Sequence, residues 1–279
     1  MVSRTQRKAA FTLVELLVVI AIFAILASLL LPALSKARAK GDAIGSFNNV
    51  RQLGMAWLMY ANEQRDRLPY NLGGDAARRT VAPQDPLNWV NGVMSWETTS
   101  DNTNRNLILQ ASLAPYLNNS VHSYKCPSDK VLSDLQRQEG WTERTRSYSM
   151  NAMVGNAGDL SLSGTNINNP HYKQFFSLSE IPRPSEIFVF IDEHPDSIND
   201  GYFLVKNDYS FVEWKDLPGS YHDGRATLSF ADGHAELHKW THPETQAPAV
   251  PDAADLPRSI PPDRRRDFNW LFQRSSVGR

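Results

Sequence analysis

The side chains able to do chemistry in this 279-residue chain fall into a few places. Toward the C-terminus, His222, Asp223, Asp232, His234 and His238 bring nitrogen and carboxylate donors close together in sequence, a donor set that suits zinc. Upstream, Asp192-Glu193-His194 follow the apolar run Ile187 to Ile191 (IFVFI), and loops at the ends of buried elements commonly carry functional groups. Near the N-terminus, Glu15 puts a carboxylate inside an apolar run, where an ionisable group costs up to about 3 kcal/mol on insertion scales. Cys126 is the only cysteine, so it forms no intramolecular disulfide, and its ordinary role is that of a small buried core residue.

The elements that hold these groups decide which of them can act together. Arg225 to Trp240 alternates around Asp232-Gly233, the preferred two-residue hairpin turn. Such a turn predicts that Phe230 opposes Ala235 and Leu228 opposes Leu237 on a buried face. On the other face Ser229 meets Glu236, Thr227 meets His238, and Arg225 lies opposite Trp240. His222 then sits at the base and Asp232 at the tip, roughly 30 Å apart at the usual strand rise, and His234 and His238 are about 13 Å apart. One ion cannot bridge either pair. Turn chemistry and surface polarity account for these residues, which leaves Asp192, Glu193 and His194 as the candidate metal ligands, with solvated polarity as the competing account. No resident cofactor is expected. A hydrolase would bring His194, His222 and a carboxylate into one closed pocket, but Ser, His and Asp are too frequent here for spacing to indicate it. The chain is read as a non-enzyme.

Composition bounds the partners. With 29 basic and 30 acidic residues the formal net charge is −1, so no global field draws the protein to nucleic acid. The 41% hydrophobic and 21% charged fractions are those of a globular protein with a real core. Phe11 to Leu31 (FTLVELLVVIAIFAILASLLL) is long enough, at about 1.5 Å per residue, to cross a ~30 Å hydrocarbon layer. That length exceeds the apolar run of a cleaved secretory signal, even though Ala37-Arg38-Ala39 has the small-residue pattern of a cleavage site. Arg4, Arg7 and Lys8 mark the preceding flank as cytoplasmic.

The run Lys8-Ala9-Ala10-Phe11-Thr12-Leu13-Val14-Glu15 resembles the type IV prepilin processing motif, a short basic leader followed by FTLVE. The resemblance implies a type IV pilin or type II secretion pseudopilin. In that family a prepilin peptidase would cut between Ala10 and Phe11 and the new Phe11 amine would be N-methylated. Glu15, fifth in the mature chain, would face the Phe11 ammonium of a neighbouring subunit. Pro32 falls where many pilins carry a helix-disrupting proline, so a break or kink is expected there. Implied partners are other pilin or pseudopilin subunits, the prepilin peptidase, the inner membrane and the assembly platform. Implied localisation is a single-pass inner-membrane protein with an extracytoplasmic C-terminal domain. The family normally has Gly before the cut, where this chain has Ala10. An uncleaved membrane-anchored ligand-binding module is therefore the alternative.

A second resemblance lies in His222, nine intervening residues, then Asp232-Gly233, which is similar to a prepilin-associated C-terminal motif of unassigned role. Tyr124 to Asp129, Ser147 to Asn151 and Asp267 to Leu271 resemble the same family. Four segments follow: a basic leader at 1–10, a spanning and then amphipathic helix at 11–64, a head at 65–242, and a Pro-rich linker and tail at 243–279. Within the helix, Phe47, Val50, Gly54, Trp57, Leu58 and Ala61 recur at spacings of three and four. Short helices are expected at Ser112 to Leu117 and Val131 to Gln138, and strands at Ile187 to Ile191, Tyr202 to Val205 and Phe211 to Trp214. The fold class expected is α+β, a long N-terminal transmembrane helix running into a head with antiparallel sheet.

Overall fold

The computed structural model describes residues 13–79, 88–161, 164–208, 211–253 and 256–279. The basic leader and the Ala10/Phe11 junction lie outside the described residues. A helix, α1 (Leu13–Glu63), opens the described chain. It is continuous through Pro32, so the expected break is not observed. Proline removes one N–H from the ladder, and good helix formers, Leu and Ala on both sides with Lys and Arg after it, sustain the remaining bonds. The helix stops where expected: Arg65 and Asp66 turn left-handed at φ 56° and 74°, and Asp66 N–H returns to the Ala61 carbonyl at 2.8 Å.

The chain divides into two compact units, Met1–Gly41 and Asp42–Arg279. In the first, every described residue is exposed, Leu and Ile side chains included. In the second, Ser46, Val50, Leu53, Gly54, Trp57, Tyr60 and Ala61 form a buried stripe at helical spacing. Phe47 and Leu58, expected within that stripe, lie at its partly buried edge.

Among the described residues ten strands follow: β1 (Tyr148–Asn151), β2 (Thr165–Asn166), β3 (Asn169–Lys173), β4 (Phe188–Asp192), β5 (Tyr202–Phe203), β6 (Asn207–Asp208), β7 (Phe211–Trp214), β8 (Arg225–Phe230), β9 (Ala235–Lys239) and β10 (Arg258–Ser259). The main sheet has the order β5-β1-β4-β8-β9, antiparallel apart from the β1/β5 pair. Smaller sheets pair β2 with β3, and β7 with both β6 and β10. The fold is α+β, with an apolar N-terminal helix and a head rich in antiparallel sheet.

Two cores flank the main sheet. On one side Val50, Leu53, Trp57 and Ala61 of α1 pack with Tyr148, Met150, Val189 and Phe190. On the other, Phe188, Ile191, Ala226, Leu228 and Phe230 meet Trp214, Trp240, Phe268 and Leu271. Strands β4 and β8 are thus covered on both faces, which is why IFVFI reads as a continuous apolar run rather than an alternation.

The β8/β9 hairpin is one residue out of the predicted register. Ser229 pairs with Ala235, Leu228 with Glu236, Thr227 with Leu237, Ala226 with His238 and Arg225 with Lys239. The turn holds three residues, Ala231 to Gly233, with Phe230 N–H bonded to the His234 carbonyl at 2.9 Å and Gly233 at φ 91°. A glycine in the left-handed conformation ends a three-residue hairpin loop as readily as it serves a two-residue one, so Asp-Gly alone does not choose between them. With the shifted register Arg225 no longer opposes Trp240, whose indole donates instead to the Gly219 carbonyl at 2.8 Å.

The C-terminal segment expected as linker and tail is part of the head. β10 pairs with β7, and Ile260, Phe268, Leu271 and Phe272 are buried. Asp267 accepts from Thr241 N–H, Thr241 Oγ1 and His242 N–H at 2.7–2.9 Å. Prolines set the bends, and an apolar anchor follows the bends. Because Trp57 is fully buried between α1 and the sheet, Trp57→Ala is expected to destabilise the head by about 3–5 kcal/mol, read as a lowered denaturant midpoint of the detergent-solubilised chain.

Candidate functional site

The N-terminal half of α1 is one of two features that bear on function. It is long and apolar enough to cross a membrane, and none of its most apolar stretch is buried. Side chains such as Leu13, Leu16, Ile20, Phe23 and Leu30 are exposed around the whole helix circumference. A helix apolar all round is stable only when lipid or other apolar helices surround it. Glu15 lies in the first described turn, on this same surface.

The second feature is a buried polar cluster beneath the second half of α1. Asp192, at the end of β4, is fully buried and accepts from Thr227 N–H at 2.8 Å and Thr227 Oγ1 at 2.7 Å. Ser46 Oγ, on α1, lies 3.3 and 3.4 Å from its two oxygens and 2.8 Å from the Tyr148 hydroxyl. His222 Nε2 is 3.7 Å from Asp192 Oδ2 and 3.4 Å from Cys126 Sγ, while its Nδ1 lies 3.4 Å from Ser128 Oγ. Burial dominates the electrostatics. It pushes the Asp192 carboxyl up to about 7, against the Thr227 and Ser46 hydrogen bonds that favour its charge. It raises the Cys126 thiol well above its usual value and lowers His222 to about 4. Thiol and carboxylate both address Nε2, whereas a nucleophile relay needs the orienting carboxylate on the opposite ring nitrogen. With a raised thiol as well, the arrangement is not that of an activated cysteine.

The three sequence candidates Asp192, Glu193 and His194 are all buried but point to different surroundings. Successive strand residues face opposite sides of a sheet, which separates Asp192 from Glu193. Glu193 joins a second acidic group, where burial and then the nearby Asp216 hold it protonated well above the usual carboxylate range. His194 Nε2 meets the Ala247 carbonyl at 2.9 Å, and its Nδ1 is 3.7 Å from Asp196. His222 and Asp232 occupy opposite ends of β8, as the hairpin argument expects. Asp232 Oδ1 accepts from His234 N–H at 3.1 Å and contacts its Nδ1 at 2.6 Å. At Gly233 an added Cβ would come within 2.9 Å of Leu58 Cδ1 on α1. His238 stacks on Trp270 with ring centroids 3.5 Å apart.

What sequence reasoning missed is the convergence of Ser46, Cys126, Asp192 and His222. Cys126 and His222 are 96 residues apart, and Ser46 and Asp192 are 146 apart. No local spacing announces the meeting. The one available signal was that the segments containing Cys126 and His222 resemble the same family.

Around Glu193, Asp200 Oδ1 accepts from Tyr202 N–H at 2.8 Å, and Arg146 Nη2 donates to the Asn199 carbonyl at 2.7 Å. Asp216 Oδ2 accepts from Leu204 N–H at 2.6 Å, yet burial, reinforced by Asp200, raises its carboxyl to about 8. A carboxyl that keeps its proton to higher pH when folded stabilises the fold fully below its ordinary value of about 4, and that contribution is lost as pH rises through about 8. The slope from one such group cannot exceed about 1.4 kcal/mol per pH unit, and solvent reaching the partly exposed side chain reduces it. The melting temperature is expected to fall from pH 6 to pH 9, and to fall less in Asp216→Asn, which retains the acceptor for Leu204. Parallel pH profiles for the two proteins would show that Asp216 titrates as an ordinary carboxylate.

No curated protein and no solved structure matches the chain. Residues 5–31 match the family model described as the prokaryotic N-terminal methylation motif. That match covers the basic flank and the apolar run, and its described part coincides with the exposed, membrane-length portion of α1. On these grounds the chain carries a prepilin-type N-terminus, the segment of a pilin or pseudopilin on which prepilin peptidase acts.

Proposed function

We propose that this protein is a structural subunit of a type IV pilus or a type II secretion pseudopilus, assembled through its N-terminal helix. The observation that carries the reading is the methylation motif at residues 5–31 leading into a helix whose apolar surface is exposed on every side. Before assembly that surface is solvated by the inner membrane, with the C-terminal head extracytoplasmic. After extraction it packs against the same surface of other subunits, so lipid and filament core are interchangeable apolar solvents for one helix.

Cleavage between Ala10 and Phe11 creates an ammonium at Phe11, and Glu15 of a neighbouring subunit supplies its counter-charge. In a low-dielectric helix bundle, leaving either charge without the other is far more costly than in water, so the pair favours one axial register over its neighbours. The residue before the cut is Ala10, the next smallest side chain after glycine. Its single extra methyl is expected to slow cleavage rather than abolish it. The rival reading is an uncleaved anchor displaying the same head for ligand binding, and it predicts an intact leader.

N-terminal sequencing and intact mass of protein from membranes separate the two. The expected chain begins at N-methylated Phe11, and a chain still beginning before Ala10 in all material would refute processing. In cells with the assembly machinery, Glu15→Ala is expected to leave membrane levels and cleavage unchanged while reducing incorporation into filaments by about tenfold or more, the effect of roughly 1.4 kcal/mol or more per subunit addition. Undiminished incorporation would remove the charge-pairing role.

A further inference from the structure

We propose that Cys126, Asp192 and His222 bind a single zinc ion beneath α1, with Ser46 and Thr227 orienting the Asp192 carboxylate. The three donor atoms, Sγ, a carboxylate oxygen and an imidazole nitrogen, all lie within 4.8 Å of one another and all three residues are buried. Zinc bonds of about 2.0–2.3 Å in tetrahedral geometry put ligand atoms roughly 3.3–3.7 Å apart. The observed 3.4 Å from Sγ to Nε2 and 3.7 Å from Nε2 to Oδ2 match that spacing, and the thiol and carboxylate lie within 4.8 Å of each other.

The surroundings are those of a metal site. Ser128 Oγ at Nδ1 can accept the ring proton, leaving the Nε2 lone pair aimed at the thiol and the carboxylate. Two electron-rich atoms facing each other across 3.7 Å are favourable only with a proton or a cation between them. Lys125, next in sequence to Cys126, does not supply that cation, because its ammonium is held by Asp129 at 2.7 Å. Thr227 and Ser46 fix the carboxylate as outer-shell donors do in metal centres. Thiolate, imidazole and carboxylate together favour zinc over calcium or magnesium, which take oxygen donors. Binding releases the thiol proton to solvent, and a fourth position remains for water.

The consequence is mechanical. Cys126 comes from a loop, Asp192 from β4 and His222 from the turn before β8, while Ser46 brings α1 to the same point. One ion would tie these segments together beneath the helix that carries the assembly surface. It would also give His222 a role separate from that of Asp232-Gly233 at the far end of β8.

The test uses full-length protein in detergent, stripped with a chelator and titrated with Zn2+ or Co2+. One equivalent is expected to bind, with Zn2+ raising the melting temperature by several degrees. The Co2+ form is expected to show a thiolate-to-metal charge-transfer band in the near ultraviolet. Cys126→Ser should remove that band, and His222→Gln should weaken Zn2+ binding by about 100-fold or more. A buried substitution can unfold the head, so the parent protein is decisive by itself. A folded, stripped parent that binds no Zn2+, shows no Co2+ band and melts unchanged overturns the proposal, leaving a thiol–imidazole hydrogen bond. One equivalent bound without the charge-transfer band places the metal elsewhere and overturns it equally.

Discussion

The structure depends on the burial of one stripe of α1 against the main sheet. Ser46, Val50, Leu53, Gly54, Trp57 and Ala61 are buried, and Gly54 brings the helix so close to β8 that a Cβ there would lie 3.0 Å from that of Ser229. A larger residue would push the helix from the strand and open the contact around it. The same helix is exposed from residue 13 to 41, largely apolar as far as Leu34 and basic beyond it at Lys36, Arg38 and Lys40. It thus meets two kinds of solvent along its length, and the sheet contact holds its C-terminal part to the head.

That close approach explains why the sheet's polar residues lie where they do. Thr227 and Ser229 face α1, while Leu228 and Phe230 face the second core with Phe268 and Leu271. Small hydroxyl residues permit the helix to come near, and the Thr227 hydroxyl meets that of Ser46 across the gap at 3.1 Å. The buried Asp192 is tolerated because Thr227 supplies two donors and Ser46 a third. Helix packing and the polar cluster are therefore one arrangement seen from two sides.

The second core closes the opposite face with material drawn from the end of the chain. Trp214, Trp240 and the pair Phe268 and Phe272 come from three separate pieces of backbone, the last two from one C-terminal helical segment. A sheet buried on both faces needs this second layer, since otherwise Phe188, Ile191 and Leu228 would stand in water. The polar C-terminal composition reflects the bends, and the isolated aromatics between them are the anchors.

Sequence alone determined the prepilin-type N-terminus, the α+β class, the end of α1 near Glu63 and strands such as β4 and β7, because periodicity and apolar length are local properties. It did not determine the continuity of α1 through Pro32, where neighbouring helical turns outweigh one missing N–H. Nor did it distinguish a two-residue from a three-residue turn at Asp232-Gly233, since one glycine suits both. The meeting of Cys126, Asp192 and His222 belonged wholly to tertiary structure. Residues separated by 96 positions come within 3.4 Å only because α1, β4 and the β8 turn pack around them. Such packing is a property of the whole apolar core, and no spacing along the chain encodes it.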